Sequence, residues 1–243
     1  NARAYAWYSM DVSSSFVVDT TAPTINGAST SSTGKYTNAS TYISVSDSGS
    51  GAEALYMKAP GNSYYSNVGT STTVSSTATN GLYYFYAKDK AGNTSSTYYL
   101  YLDTTTPTGT IKNSSGTAIS GYTNGAFSYT ATDTGSGVSY LQYKKPGSSS
   151  WLSYTSGTTI ASTATNGQYQ FRAVDKAGNV SDTKTIYLDS AAPTGTIKNS
   201  SGTAISGYTG GAFSYTATDT GSGVSYLQYK TPGSSSWTTY SSG

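Results

Sequence analysis

From Tyr169 to Ala173 the chain alternates. Tyr169, Phe171 and Ala173 face one way, Gln170 and Arg172 the other. Such alternation is the period of a strand half-buried on one face. The same frame recurs at Tyr83, Phe85 and Ala87, and both follow an Asn-Gly pair (80–81 and 166–167) of the kind that makes tight turns. Elsewhere short alternating runs are broken by Gly, Asn, Pro and Ser, and no segment carries a convincing helical period. In the clearest stretch the pattern predicts strands A to G near 108–113, 126–133, 138–145, 151–155 (C′), 158–164 (E), 169–175 (F) and 184–189 (G). Short strands at this spacing, with no helix, predict an all-β sandwich.

The pattern repeats. Residues 107–157 and 193–243 are nearly identical at an offset of 86, and a more diverged copy starts at Pro23, 84 residues before Pro107. Solenoid units run about 20–50 residues, so this period fits one complete small domain per repeat. The expected organisation is a domain at 20–103 and another at 104–189. Residues 1–19 then hold only strands F and G of a domain, and residues 190–243 only A, B, C and C′. Aligning Asp11 with Asp175 puts Tyr5 on Tyr169 and Trp7 on Phe171. Neither flanking piece can close a sandwich, because isolated strand pairs are marginal and open edges are a hazard. Two expectations follow: an excerpt of a longer array, or a filament in which residues 5–19 of one chain pair with 193–243 of a neighbour.

Three features carry a resemblance. They are the junction Asp-Thr-Thr-x-Pro-Thr at 19–24 and 103–108 (Asp189-Ser-Ala-Ala-Pro-Thr diverges), Gly-Ser-Gly-Val after strand B, and Ala-x-Asp-Lys-Ala-Gly-Asn at 87–93 and 173–179. With them the chain resembles the tandem Ig-like repeats of large bacterial surface proteins and adhesin stalks. The resemblance implies seven-stranded Ig-like sandwiches in a linear array, an extracellular or cell-surface location and a structural role. Tyr83 and Tyr169, just after the E–F turn, resemble the tyrosine corner of that fold.

Composition narrows the chemistry. Hydrophobic residues are 35% and charged residues 10%, but aromatics reach 14%, with 25 tyrosines. Disordered chains have few aromatics and many charges, so tyrosine and phenylalanine supply the core here. There is no cysteine and no histidine, which removes disulfides, thiol nucleophiles and the commonest general base. A net charge of +2 without a basic run predicts no nucleic-acid partner. No apolar stretch approaches the length of a membrane span. An enzyme is not expected: the only acids outside the repeat scheme, Glu53 and Asp182, lie on different copies.

The remaining nine of eleven acids take recurring places. Asp19, Asp103 and Asp189 end strand G, Asp47, Asp133 and Asp219 end strand B, and Asp11, Asp89 and Asp175 end strand F. In a sandwich of this topology those ends share one pole. Asp19, Asp47 and Asp89 should therefore converge, and so should Asp103, Asp133 and Asp175, with Asp189 and Asp219 starting a third set. Clustered carboxylates repel unless a cation or donors neutralise them. Calcium takes six to eight oxygens in flexible geometry, and the resemblance also implies interdomain Ca²⁺. The competing reading is that each aspartate caps its own turn.

Tyr84, Tyr86, Tyr98 and Tyr101 are candidates for an aromatic face that meets glycans, with Trp151 and Trp237 as further platforms. Sequons at Asn38, Asn93, Asn113, Asn179 and Asn199 allow glycosylation of an exported chain. The expected role is a surface stalk or filament contacting neighbouring repeats of the same protein. A self-associating filament subunit and a glycan- or surface-binding module are the alternatives. A binder should carry an aromatic patch on one copy that the others lack.

Overall fold

The computed structural model describes residues 18–241. The chain divides into two compact units, 1–104 and 105–243, and both are built of strands. The F and G strands expected within 1–19 fall almost wholly outside the described residues.

The first unit holds β1 (Thr24–Asn26), β2 (Lys35–Thr37), β3 (Thr41–Ser46), β4 (Ala52–Lys58), β5 (Ser66–Asn67), β6 (Ser71–Val74), β7 (Gly81–Asp89) and β8 (Tyr98–Leu102). They form two sheets, β1–β3–β6 and β2–β8–β7–β4–β5. Every pairing is antiparallel except β2 with β8. The inward rows meet in one core: Ile25 and Ile43 from one sheet, and Leu55, Tyr83, Phe85, Leu100 and Leu102 from the other. This is an all-β sandwich of Ig-like form.

The second unit repeats the plan with β9 (Thr108–Asn113), β10 (Gly121–Thr123), β11 (Phe127–Thr132), β12 (Val138–Lys144), β13 (Leu152–Tyr154), β14 (Gly167–Asp175) and β15 (Lys184–Leu188). Its sheets are β9–β11 and β10–β15–β14–β12–β13. The core is more aromatic. Phe171 packs on Tyr129 at 5.0 Å and edge-on to Tyr154 at 5.2 Å, while Phe127 stands edge-on to Tyr169 at 5.5 Å. Mutually braced rings replace the missing aliphatic bulk.

Strands A, B, C, C′, F and G lie within two residues of their expected bounds. Strand E at 158–164 does not form. Only Phe127 and Ile160 bridge there, through 3.0 and 2.7 Å bonds. Turns close on either side, with Thr158 N–H on the Thr155 carbonyl and Ala164 N–H on the Ala161 carbonyl, so the backbone leaves the ladder at once. The first unit does form this strand, as β6. The short parallel strands β2 and β10 were not expected, because three residues between Gly and Ser turns carry no legible period.

After β15 the second unit continues with β16 (Thr194–Asn199), β17 (Phe213–Thr218), β18 (Leu227–Tyr229) and β19 (Thr238–Tyr240), in two separate two-stranded sheets. Here the repeated sequence takes a different environment. Phe127 is 1% exposed and its twin Phe213 64%; Ile111 is 4% exposed and its twin Ile197 44%. The strands that cover the first of each pair, β14 and β15, have no counterpart among the described residues of 190–241.

Candidate functional site

In the first unit, β3 runs out into Asp47, β7 ends on Asp89, and Asp19 precedes β1. These three aspartates each offer a carboxylate oxygen within 4.8 Å of the others. The convergence follows from topology: strands B and F run to the pole where the chain enters.

Each carboxylate also organises backbone. Asp47 Oδ1 accepts from the N–H groups of Gly49 (3.1 Å) and Gly51 (2.8 Å), closing the loop after β3. Asp89 is fully buried, and its two oxygens accept from Asn93, the backbone N–H at 2.8 Å and the side-chain amide at 2.7 Å. Asp19 accepts from Ser50 N–H at 2.6 Å and Thr21 N–H at 2.9 Å. The Ser50 bonds above all hold the Asp19 carboxyl below its ordinary range. Gly49 lies so close that a Cβ there would collide with the Asp19 carboxylate, so this approach needs glycine.

One atom is left over. Asp47 Oδ2 is buried and has no hydrogen-bond partner. A buried carboxylate oxygen without a donor is costly, and this one lies in the cluster of three acids. Hydrogen bonds within the protein therefore account for five of the six carboxylate oxygens. The donor set is all oxygen and anionic, which suits a hard cation.

In the second unit Asp133 and Asp175 likewise bring oxygens within 4.8 Å of each other. Asp133 accepts from Gly135 and Gly137 N–H, and Asp175 from Asn179. Asp103 belongs to the first unit, where it is buried beyond β8 and donates its N–H to the Thr37 carbonyl at 2.9 Å. Asp189 accepts from Ser222 at 2.6 Å, which lowers its pKa, and Asp219 beside it accepts from Gly221 and Gly223. No F-strand aspartate joins this pair, because 190–241 contains none.

Sequence reasoning missed Asn93 and Ser50. The Asn93 amide reaches Asp89, the Asp19 carbonyl (3.0 Å) and the Thr21 carbonyl (3.3 Å), and the Ser50 hydroxyl receives Ala91 N–H. Asn93 had appeared as a sequon. Its amide nitrogen is occupied here, as is that of Asn179, which argues against glycan attachment at either. Among the aromatic candidates, Tyr84 and Tyr86 face outward from β7, Tyr101 meets Tyr36 at 5.4 Å, and Tyr98 packs against the core instead. Trp151 is covered by Arg172 (4.2 Å) and Lys144 (4.9 Å), while Trp237 is exposed.

No protein-family model matches the chain, and no characterised protein matches its sequence. Among solved structures it is similar to the fibronectin(III)-like modules of CbhA from Clostridium thermocellum, at 14% identity and a TM-score of 0.37, over 68% of this chain and 92% of that one.

Proposed function

We propose that the chain is a non-catalytic structural spacer of an extracellular or cell-surface protein, a stalk of Ig-like modules whose entry loops are fastened by Ca²⁺. The observation that carries this reading is the cluster of Asp19, Asp47 and Asp89 with its one donorless oxygen on Asp47. Asp19 lies where the chain enters the sandwich, and the other two acids lie on loops of the sandwich itself. A cation held by all three ties the entering segment to the module, which is a mechanical task. The absence of histidine and cysteine supports a non-catalytic role. The repeat extends the same expectation to Asp133 and Asp175 of the second unit, and in part to Asp189 and Asp219.

Single-molecule extension of the 243-residue chain tests the reading. With Ca²⁺ present, sandwich unfolding should occur at higher force than with chelator. Identical force distributions in the two buffers would count against it.

The bare apolar face of 190–241 favours a second reading, self-association by strand exchange. Phe213, Ile197 and Trp237 are exposed where the equivalent Phe127, Ile111 and Trp151 are covered. Sedimentation equilibrium decides: strand exchange requires concentration-dependent species heavier than 25.1 kDa, and a monomer at all concentrations ends it.

A further inference from the structure

The outer face of the sheet β2–β8–β7–β4–β5 carries tyrosines at positions where the second unit has other residues. Tyr56 and Tyr86 pair across β4 and β7 and stack at 4.7 Å with a 6° interplanar angle. Tyr65 stands edge-on to Tyr86 at 4.9 Å, and Tyr99 edge-on to Tyr84 at 5.5 Å. Lys58 completes the group, its ammonium 4.1 Å from the Tyr84 ring centre and 5.4 Å from that of Tyr65.

In the second unit the matching residues are Gln142, Trp151, Gln170, Arg172, Thr185 and Lys144. There Arg172 bonds Gln142 at 2.9 Å and covers Trp151, so polar groups satisfy one another. The first unit is different. The core tyrosines Tyr83 and Tyr169 donate their hydroxyls to the Thr79 and Thr165 carbonyls. The five outer hydroxyls, on Tyr56, Tyr65, Tyr84, Tyr86 and Tyr99, have no hydrogen-bond partner among the described residues. Lys58 has no carboxylate partner among them either. The hydroxyls crowd together: burial, followed by the nearby phenols of Tyr99, Tyr84 and Tyr86, raises the Tyr65 pKa.

We infer that this tyrosine face binds a uronic-acid polysaccharide. A purely apolar partner would leave five hydroxyls unpaired, whereas a sugar chain offers hydroxyls and C–H edges in alternation. Tyrosine provides both kinds of contact on one side chain. The Lys58 ammonium lies over the Tyr84 ring without a carboxylate partner among the described residues, and it adds charge complementarity to a carboxylate at the sugar edge. Because the rings brace one another, they are held before binding and little rotamer freedom is lost. The copy-to-copy contrast argues against a purely structural need, since the second unit builds the same sheet without these rings.

The test is affinity electrophoresis of the full chain in gels containing polygalacturonate, dextran or dextran sulfate, a polyanion without uronate. Polygalacturonate should retard the wild type more than dextran or dextran sulfate does. The double variant Tyr56→Gln/Tyr84→Gln installs the second unit's residues, which that sheet already tolerates, and melting checks its fold. It should weaken the polygalacturonate Kd about tenfold or more. Lys58→Gln should abolish the preference over dextran while keeping any weak neutral binding. No retardation by polygalacturonate, or a double variant within about twofold of wild type, overturns the proposal. Retardation by dextran sulfate equal to or greater than that by polygalacturonate overturns the uronate assignment.

Discussion

At the residue scale, the corner tyrosines differ chemically from those of the outer face. Tyr83 and Tyr169 are buried and each donates to a carbonyl four residues back, at 2.8 and 3.0 Å. Tyr169→Phe removes one such bond, so it should destabilise the second unit by about 1 kcal/mol in denaturant titration. The pH profile follows from the same residues. Burial raises the pKa of Tyr83, Tyr129, Tyr154 and Tyr169. A raised folded pKa means stability that is complete below the unfolded value, near 10, and lost as pH rises through the folded value. Asp19 and Asp189 act in the opposite sense. Their lowered pKa values give stability that is complete above the ordinary value of 3.8 and lost as pH falls through the folded one. With no histidine between these limits, melting temperature should be nearly flat from about pH 5 to 9 and fall on both sides. A histidine-like inflection near neutrality would contradict this. The corner tyrosines and the recurring aspartates were legible in the sequence because both sit at fixed places in a repeated frame. Asn93 and Ser50 were not, because the partners through which they tie distant segments together lie 31 to 74 residues away and no local pattern encodes that.

At the element scale, the chain contains its own control. Gly121–Thr123 and residues 207–209 share the sequence Gly-Tyr-Thr, yet only the first forms a strand. It does so by lying parallel to β15. Without such a partner Tyr208 is fully exposed. Likewise β12 spans seven residues beside β14, whereas its twin β18 spans three. Strand propensity here reflects what the strand packs against. This also explains what the sequence could not reveal: alternation located β9, β11, β12 and β14, but the reach of each strand depends on neighbours. The energetic counterpart is measurable. Phe127→Ala empties a site 1% exposed and should cost about 3–5 kcal/mol. Phe213→Ala, in matching sequence but 64% exposed, should cost within about 0.5 kcal/mol. Equal costs would mean that the face around Phe213 is covered in solution, as strand exchange requires.

At the scale of the whole molecule, the repeated acids are the feature that links fold to role. The sandwich brings Asp19, Asp47 and Asp89 together for reasons of topology alone, and most of their oxygens are then used to shape loops. The unused Asp47 Oδ2 sets the account at risk in one place. Asp47→Asn keeps Oδ1 for the Gly49 and Gly51 N–H groups and replaces the donorless oxygen by an amide, so it removes a cation ligand and spares the cap. The most direct measurement is thermal unfolding of the full chain and of this variant, each with Ca²⁺ and with chelator. A bound ion stabilises by about 2.7 kcal/mol at a hundredfold excess over its Kd, and each kcal/mol moves the melting point of a module this size by about 4–8 °C. The wild type should therefore melt several degrees higher with Ca²⁺. In the variant the first unit's unfolding should show no response, and under chelation that unit should be at least as stable as in the wild type, since one of three clustered charges is gone. A wild type that melts identically with and without chelator would contradict the account and leave these aspartates as turn caps.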